Sequence, residues 1–145
     1  DLFKAFRKMK RHALAVDYNP SIIRKLKEEN IPCTYGDAGD VELLKEISWK
    51  RASMVISNIS DPETNLVLIN FIREQNPNCI IVVVTHTVKN AIRLYESGAT
   101  YVILPHMLSA KKALRMVRKF GFDFECFAQE KMQHLKHLKK FRYEF

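Results

Sequence analysis

Apolar positions along this chain change period repeatedly, and those changes predict its elements. Leu2, Phe3, Phe6 and Met9 recur at spacings of three and four opposite cations, which predicts an amphipathic helix over residues 1–12. It runs straight into the short apolar run Ala13–Val16, a strand closed by Asp17. Asn19-Pro20 has the chemistry of a helix cap with proline at the first helical position, and Ile22, Ile23 and Leu26 supply that helix's apolar face. Ile31–Tyr35 reads as a second strand, closed by Asp37. Gly36 and Gly39 bracket the turn, and Asp40 caps a helix through Val41, Leu43, Leu44 and Ile47.

Ser53–Ile59 reads as a third, buried strand, and Ser60 or Asp61 before Pro62 starts the next helix. Leu66, Leu68, Ile69, Phe71 and Ile72 fill that helix, and Asn76-Pro77-Asn78 breaks it. The β-branched run from Cys79 to Thr85 is the pattern of a central parallel strand covered on both faces. Val88–Ser97 is a helix ended by Gly98, and Tyr101–Leu104 a fifth strand stopped by Pro105. Strands alternating with helices at intervals of about twenty residues imply right-handed crossovers. The predicted fold class is α/β: a Rossmann-like, doubly wound parallel sheet of five strands, with helices on both faces and an extra C-terminal helix. Past Pro105 the pattern turns helical and basic, is interrupted by Gly121, and resumes with Phe127, Met132, Leu135 and Leu138 along a stripe the sheet does not need. Residues 1–118 are therefore assigned to the domain and 119–145 to a basic appendage, not a separate domain, that packs on a partner subunit or on a part of the chain preceding residue 1, the plainer alternative being a frayed basic tail.

Composition narrows the class. The 145 residues, 47% hydrophobic and 28% charged, suit one globular domain. No apolar run reaches the roughly 20 residues of a membrane span, and no export signal opens the chain. Cys33, Cys79 and Cys126 are odd in number and far apart, which disfavours a disulfide framework or thiolate zinc site and fits a reducing, cytosolic setting. The chain opens on Asp1 without a methionine, as a fragment would. A net charge of +8 raises nucleic acid or an anionic membrane as partners. The excess sits at the two ends, however, and nucleic acid is not expected as a partner.

The candidate chemistry begins with Asp17 and Asp37. Ligands of open α/β sheets lie beyond the carboxyl ends of the strands, so both carboxylates face one crevice, and the first is suited to a ribose. Either residue is equally a turn or cap former. The glycines at 36, 39, 98 and 121 form no GxGxxG loop, and no GxSxG elbow is present. His134 and His137 stand one helical turn apart without a carboxylate or thiol to complete a metal shell, and read as a solvated basic helix. His86 and His106 both follow strands at the ligand edge. Neither an enzyme nor a metal site is expected.

The motifs VDYNP at 16–20, YGDAGD at 35–40, DPETNL at 61–66, FIREQNPN at 71–78 and GATYVILPH at 98–106 resemble, in order and spacing, the RCK, KTN or TrkA-N domains of potassium channels and cation transporters. The VVTHTVKNA stretch at 83–91 leans toward the branch fused to Kef-like cation/proton antiporters. The resemblance covers residues 1 to about 115. It implies a cytoplasmic regulatory domain at the inner face of the membrane. Such a domain binds NAD(H) or ATP, ADP or AMP, forms a homodimer or higher homo-oligomer, and acts on a membrane transporter or channel subunit. Carried over by position, Asp17 holds the ribose hydroxyls with Tyr18 beside it, and Asp37 with Ala38 lies along the adenine. Asn58 lies near ribose and phosphates, and His86 faces the phosphate side.

One departure stands out. The family's first strand and its GxGxxG loop precede the helix placed here at 1–12, and this chain lacks both. That strand occupies the centre of the order 3-2-1-4-5-6, so its loss removes the middle of the sheet and the helix N-terminus that takes a pyrophosphate. Either the strand lies upstream, or the segment FGFDFEC at 120–126 fills the vacancy, or the gap closes to 2-1-3-4-5. The last order would resemble response-regulator receivers, but Tyr18 and Leu104 stand where their second acid and lysine belong, and no phosphoacceptor aspartate is present near Ile59.

Overall fold

The computed structural model describes residues 2–142. In chain order it contains α1 (Leu2–Lys8), β1 (Ala15–Asp17), α2 (Pro20–Glu28), β2 (Cys33–Tyr35), α3 (Val41–Glu46), a 3-10 turn (Trp49–Arg51), β3 (Met54–Ile56), α4 (Pro62–Gln75), β4 (Ile80–Val84), α5 (Val88–Glu96), β5 (Tyr101–Ile103), α6 (Pro105–Phe120) and α7 (Phe124–Arg142). The chain divides after Ile103 into two compact units, the first holding α1 to β5 and the second α6 and α7. Asp1, where the first predicted helix begins, lies outside the described residues.

The predicted caps act as their chemistry requires. Asn19 accepts from the Ser21 amide at 2.9 Å, and Asp40 accepts from Glu42 at the same distance. Asp61, rather than Ser60, caps α4. Strands are shorter than the apolar runs that announced them, because the ladder stops where the partner strand does. Two points of the reading are settled or refined. Segment 120–126 is no strand: it ends α6 and begins α7, with Gly121 at φ 59° marking the break. Pro105 does not simply stop a strand; it opens α6 at the first helical position, where its missing N–H costs nothing.

β1 pairs with β2 and β3 with β4 with β5, all parallel, as a two-stranded and a three-stranded sheet. The closed order 2-1-3-4-5 does not form, because β1 and β3 do not pair. Parallel strands use alternate residues for each neighbour. The Ser57 amide donates to Val82 at 2.8 Å and Ile80 to the Ser53 carbonyl at 3.1 Å. That phase turns the peptide groups of Met54 and Ile56 to the other edge of β3. On β1, Ala15 donates to Pro32 at 2.9 Å and Asp17 accepts from Gly36 at 3.1 Å, so Val16 likewise faces the far edge.

The core sits where α4 and α5 cover the three-stranded sheet. Ile69, Ile72, Ile81, Val83 and Leu94 are fully buried, each contributing about 1.5–3 kcal/mol by leaving water. Leu44 and Trp49 bury against the same layer, and the indole N–H donates to the Leu44 carbonyl at 2.6 Å. Arg73 ties the N-terminal ends of the strands together: its guanidinium donates to the carbonyls of Gly98 (2.8 Å), Pro77 (3.0 Å) and Cys79 (2.6 Å), and to Thr100 Oγ1 (3.1 Å). Gly98 has φ 105°, and a Cβ there would lie 3.2 Å from the Arg73 stem. Backbone conformation and packing both select glycine at that position.

Candidate functional site

Each candidate residue lies at the carboxyl end of a strand or in the loop that follows. Asp17 is the last residue of β1 and Tyr18 follows it, largely exposed. Asp37 and the half-buried Ala38 form the turn after β2, Asn58 the loop after β3, and His86 the loop between β4 and α5. The fold therefore brings all six to one side of the unit. It does not enclose them: Asp37, Asn58 and His86 are exposed. Two surface hollows lie elsewhere, one of about 440 Å³ beside Trp49, Leu44 and Phe71, the other of about 120 Å³ between Phe3, Phe6 and Ile31. The first is larger, yet it lies on the flank formed by α3 and α4, away from the strand ends that gather the polar groups.

Local geometry explains the two carboxylates. Asp17 Oδ1 accepts from the Asn19 amide at 2.7 Å, and Asp37 Oδ1 accepts from the Gly39 amide at 2.8 Å. Each is an Asx turn, the capping role the residue type favours. In each, Oδ2 has no bonding partner among the described residues. One oxygen therefore fixes the loop and the other is available to a ligand hydroxyl. Turn formation and ligand binding are compatible functions of one side chain.

The neighbouring loop is set by α4. Asp61 Oδ2 accepts from both the amide and the hydroxyl of Thr64 at 2.7 Å, and these bonds, the amide first, hold its carboxyl below the ordinary 3.8. A Cβ on Gly39 would come within 3.3 Å of Thr64 Cγ2, so the Asp37 turn rests against the start of α4. The sequence reading overlooked Asn65. Its side chain is fully buried and donates from Nδ2 to the carbonyls of Ile59 (2.7 Å) and Val84 (3.2 Å), pinning the ends of β3 and β4 beneath Asn58 and His86. Its Oδ1 has no partner. The signal was present: Asn65 occupies the first place in the spacing 65, 68, 69, 72, whose other members are core, and a polar residue on a buried face marks a fixed hydrogen-bond job.

Among the described residues no cluster of three or more His, Cys, Asp or Glu is placed to hold a metal. Burial pushes the Cys79 thiol up, partly offset by the Arg73 charge, which leaves it a core residue rather than a nucleophile. No helix among the described residues is long and apolar enough to cross a membrane.

Parallel strands joined through helices, with carboxylates at the strand ends, define the Rossmann-like class of α/β domains. Within that class the chain belongs to the TrkA-N domain family, which matches residues 1–105. It is 32% identical over 85 residues to the glutathione-regulated potassium-efflux system protein KefC of Escherichia coli O139:H28 (strain E24377A / ETEC), a match covering 59% of this chain. The match spans only 14% of that relative. The TrkA-N domain of the inner membrane protein ybaL from Escherichia coli superposes with a TM-score of 0.73 at 17% identity, covering 80% of this chain and 86% of that one. The Shewanella denitrificans Kef CTD in its AMP-bound form gives 0.66 at 19% identity, covering 96% and 84%.

Proposed function

We propose that this domain is a non-enzymatic regulator of a monovalent cation transport system, responding to an adenine nucleotide held at the carboxyl ends of β1 and β2. The observation that carries this reading is the pair Asp17 and Asp37: they close adjacent parallel strands, each with one oxygen fixed in a turn and the other unengaged. Asp17 with Tyr18 takes the ribose and Asp37 with Ala38 the adenine; Asn58 and His86 lie toward the phosphates. The AMP moiety shared by NAD(H), ATP and ADP is the ligand this half-site addresses. Family membership, the KefC relative and a nucleotide-bound structural neighbour support the assignment.

The domain acts at the cytoplasmic face as a homodimer or higher homo-oligomer. Nucleotide shifts the population between arrangements of the oligomer, and the transporter subunit responds. A second reading, an assembly module that has lost its ligand, is favoured by one observation: Asp37, Asn58 and His86 are exposed rather than enclosed.

Calorimetric titration with NADH, NAD, ATP, ADP and AMP separates the two. Binding is expected to weaken about 10- to 100-fold in Asp17→Ala, the equivalent of one lost charged hydrogen bond. Absence of heat with all five ligands, also on a longer version of the chain that includes upstream sequence, would leave the assembly module as the function.

A further inference from the structure

Asn58 and His86, the two groups on the phosphate side of the crevice, stand on different loops, one after β3 and the other after β4. Both are exposed, so their spacing is set by the backbone beneath them rather than by packing. Ladder pairing between the two strands ends at Ile56 with Val82, short of either loop. Beyond that point one side chain spans the gap. Asn65, fully buried, donates from Nδ2 to the carbonyls of Ile59 at 2.7 Å and Val84 at 3.2 Å. Ile59 is the neighbour of Asn58, and Val84 stands two residues before His86. The other face of the Ile59 peptide is held as well, because its amide donates to Oγ of the buried Ser57 at 3.3 Å.

Packing alone does not select asparagine at this position. Leu68, Ile69 and Ile72 occupy the same buried face of α4, and a leucine would fill the space with no polar atom to satisfy. The amide is also fixed in direction, since both carbonyls require its NH2 end. The residue before it meets the other half of the crevice. Thr64 Cγ2 lies 3.3 Å from the place a Cβ on Gly39 would take, and the Gly39 amide donates to Asp37 Oδ1 at 2.8 Å. Two consecutive residues in the first turn of α4 thus brace the adenine-side turn and the phosphate-side loops.

We infer that Asn65 is a positioning residue for the nucleotide phosphates, holding Asn58 and His86 at one spacing through the backbone. This rests on the reading of the crevice as an adenine-nucleotide site and divides the labour within it. Asp17 and Asp37 hold the nucleoside, and Asn65 governs how much the phosphate adds to affinity.

The test is the ratio of AMP to adenosine affinity, measured by calorimetry on the full chain and on the longer version that includes upstream sequence. The short hydroxyl in Asn65→Ser cannot reach both carbonyls. The ratio should therefore fall at least about fivefold, the worth of one buried hydrogen bond, while adenosine affinity changes by less than about twofold. Arg73→Lys loosens the opposite, amino ends of the strands and should leave the ratio unchanged, which separates positioning from a general loss of stability. Should Asn65→Ser fail to fold, the parent still decides: the side-chain NH2 resonances of Asn65 are expected to shift with AMP and to stay in place with adenosine. Equal weakening of AMP and adenosine, or Asn65 resonances indifferent to AMP, overturns the inference and leaves the sensor reading standing. A parent that binds neither ligand removes the sensor reading and this inference with it.

Discussion

Arg73 offers the sharpest test of how the first unit is held. Truncation to alanine removes donors from Gly98 O at 2.8 Å and Cys79 O at 2.6 Å, both partly buried, and from Pro77 O at 3.0 Å and Thr100 Oγ1 at 3.1 Å, both exposed. A hydrogen bond from a charged group is worth about 1.5–3 kcal/mol. The exposed pair is discounted to near zero because water replaces the donor at little cost. Thr100 Oγ1 also keeps its bond from the Ile81 amide at 3.0 Å. Two partly buried bonds, each at the lower end of the range, give a loss of about 3 kcal/mol, or roughly 10 °C in Tm for a chain of this size. Trp49 is the only tryptophan and is buried in this unit, so its fluorescence reports the transition. Arg73→Lys keeps the charge but not the planar fork, and should recover less than half of the loss. If Lys matched the parent, charge rather than geometry would be the cause; if Ala lay within about 0.5 kcal/mol of the parent, the tie would be ornamental.

Asn65→Asp should be severely destabilising, by about 3 kcal/mol or more, since a carboxylate replaces the only donor to two carbonyls in a dry site; urea unfolding measures it. Asp61 has a depressed carboxyl pKa, so its contribution is fully present above the ordinary 3.8 and is lost as pH falls through the lower folded value. The stability gap between parent and Asp61→Ala should therefore be constant near neutrality and close only in acid, and a gap that closed between pH 5 and 7 would contradict the cap assignment. Hydrogen exchange read by NMR should find the amides of Ala15 and Ser57, bonded to Pro32 and Val82, slower than those of Val16, Met54 and Ile56, which face the open edges.

Where the sequence spoke clearly, one physical constraint dominated. Asn19-Pro20, Asp40 and Asp61 are caps because a side-chain oxygen must meet an orphan amide. Gly98 ends α5 because its backbone takes φ 105°. The alternation at 120–126 left strand and broken helix both open, because Phe120 and Phe127 meet across a break between helices, a contact that period alone does not encode. The candidate site was legible as chemistry but not as support. Asp17 and Asp37 announced themselves by type and position, whereas the importance of Asn65 depends on Ile59 and Val84, which are 6 and 19 residues away and come together only in the fold.

The open edges and the half-site are two aspects of one arrangement. In a doubly wound sheet the ligand crevice lies where strand order reverses, beside the central strand. Here four strands carry an unpaired edge, β1, β2, β3 and β5, and two of them, β1 and β3, lead into Asp17 and Asn58. A strand paired with either edge would satisfy the peptide groups of Val16, or of Met54 and Ile56. If the proposed site is formed there, pairing at these edges and ligand binding would be linked equilibria. Under the proposed function, whatever pairs with these edges should raise nucleotide affinity, and nucleotide should in return stabilise that pairing by the same free energy. In the proposed site the carboxylates at 17 and 37 would define what is recognised, and the state of the two edges would set how tightly.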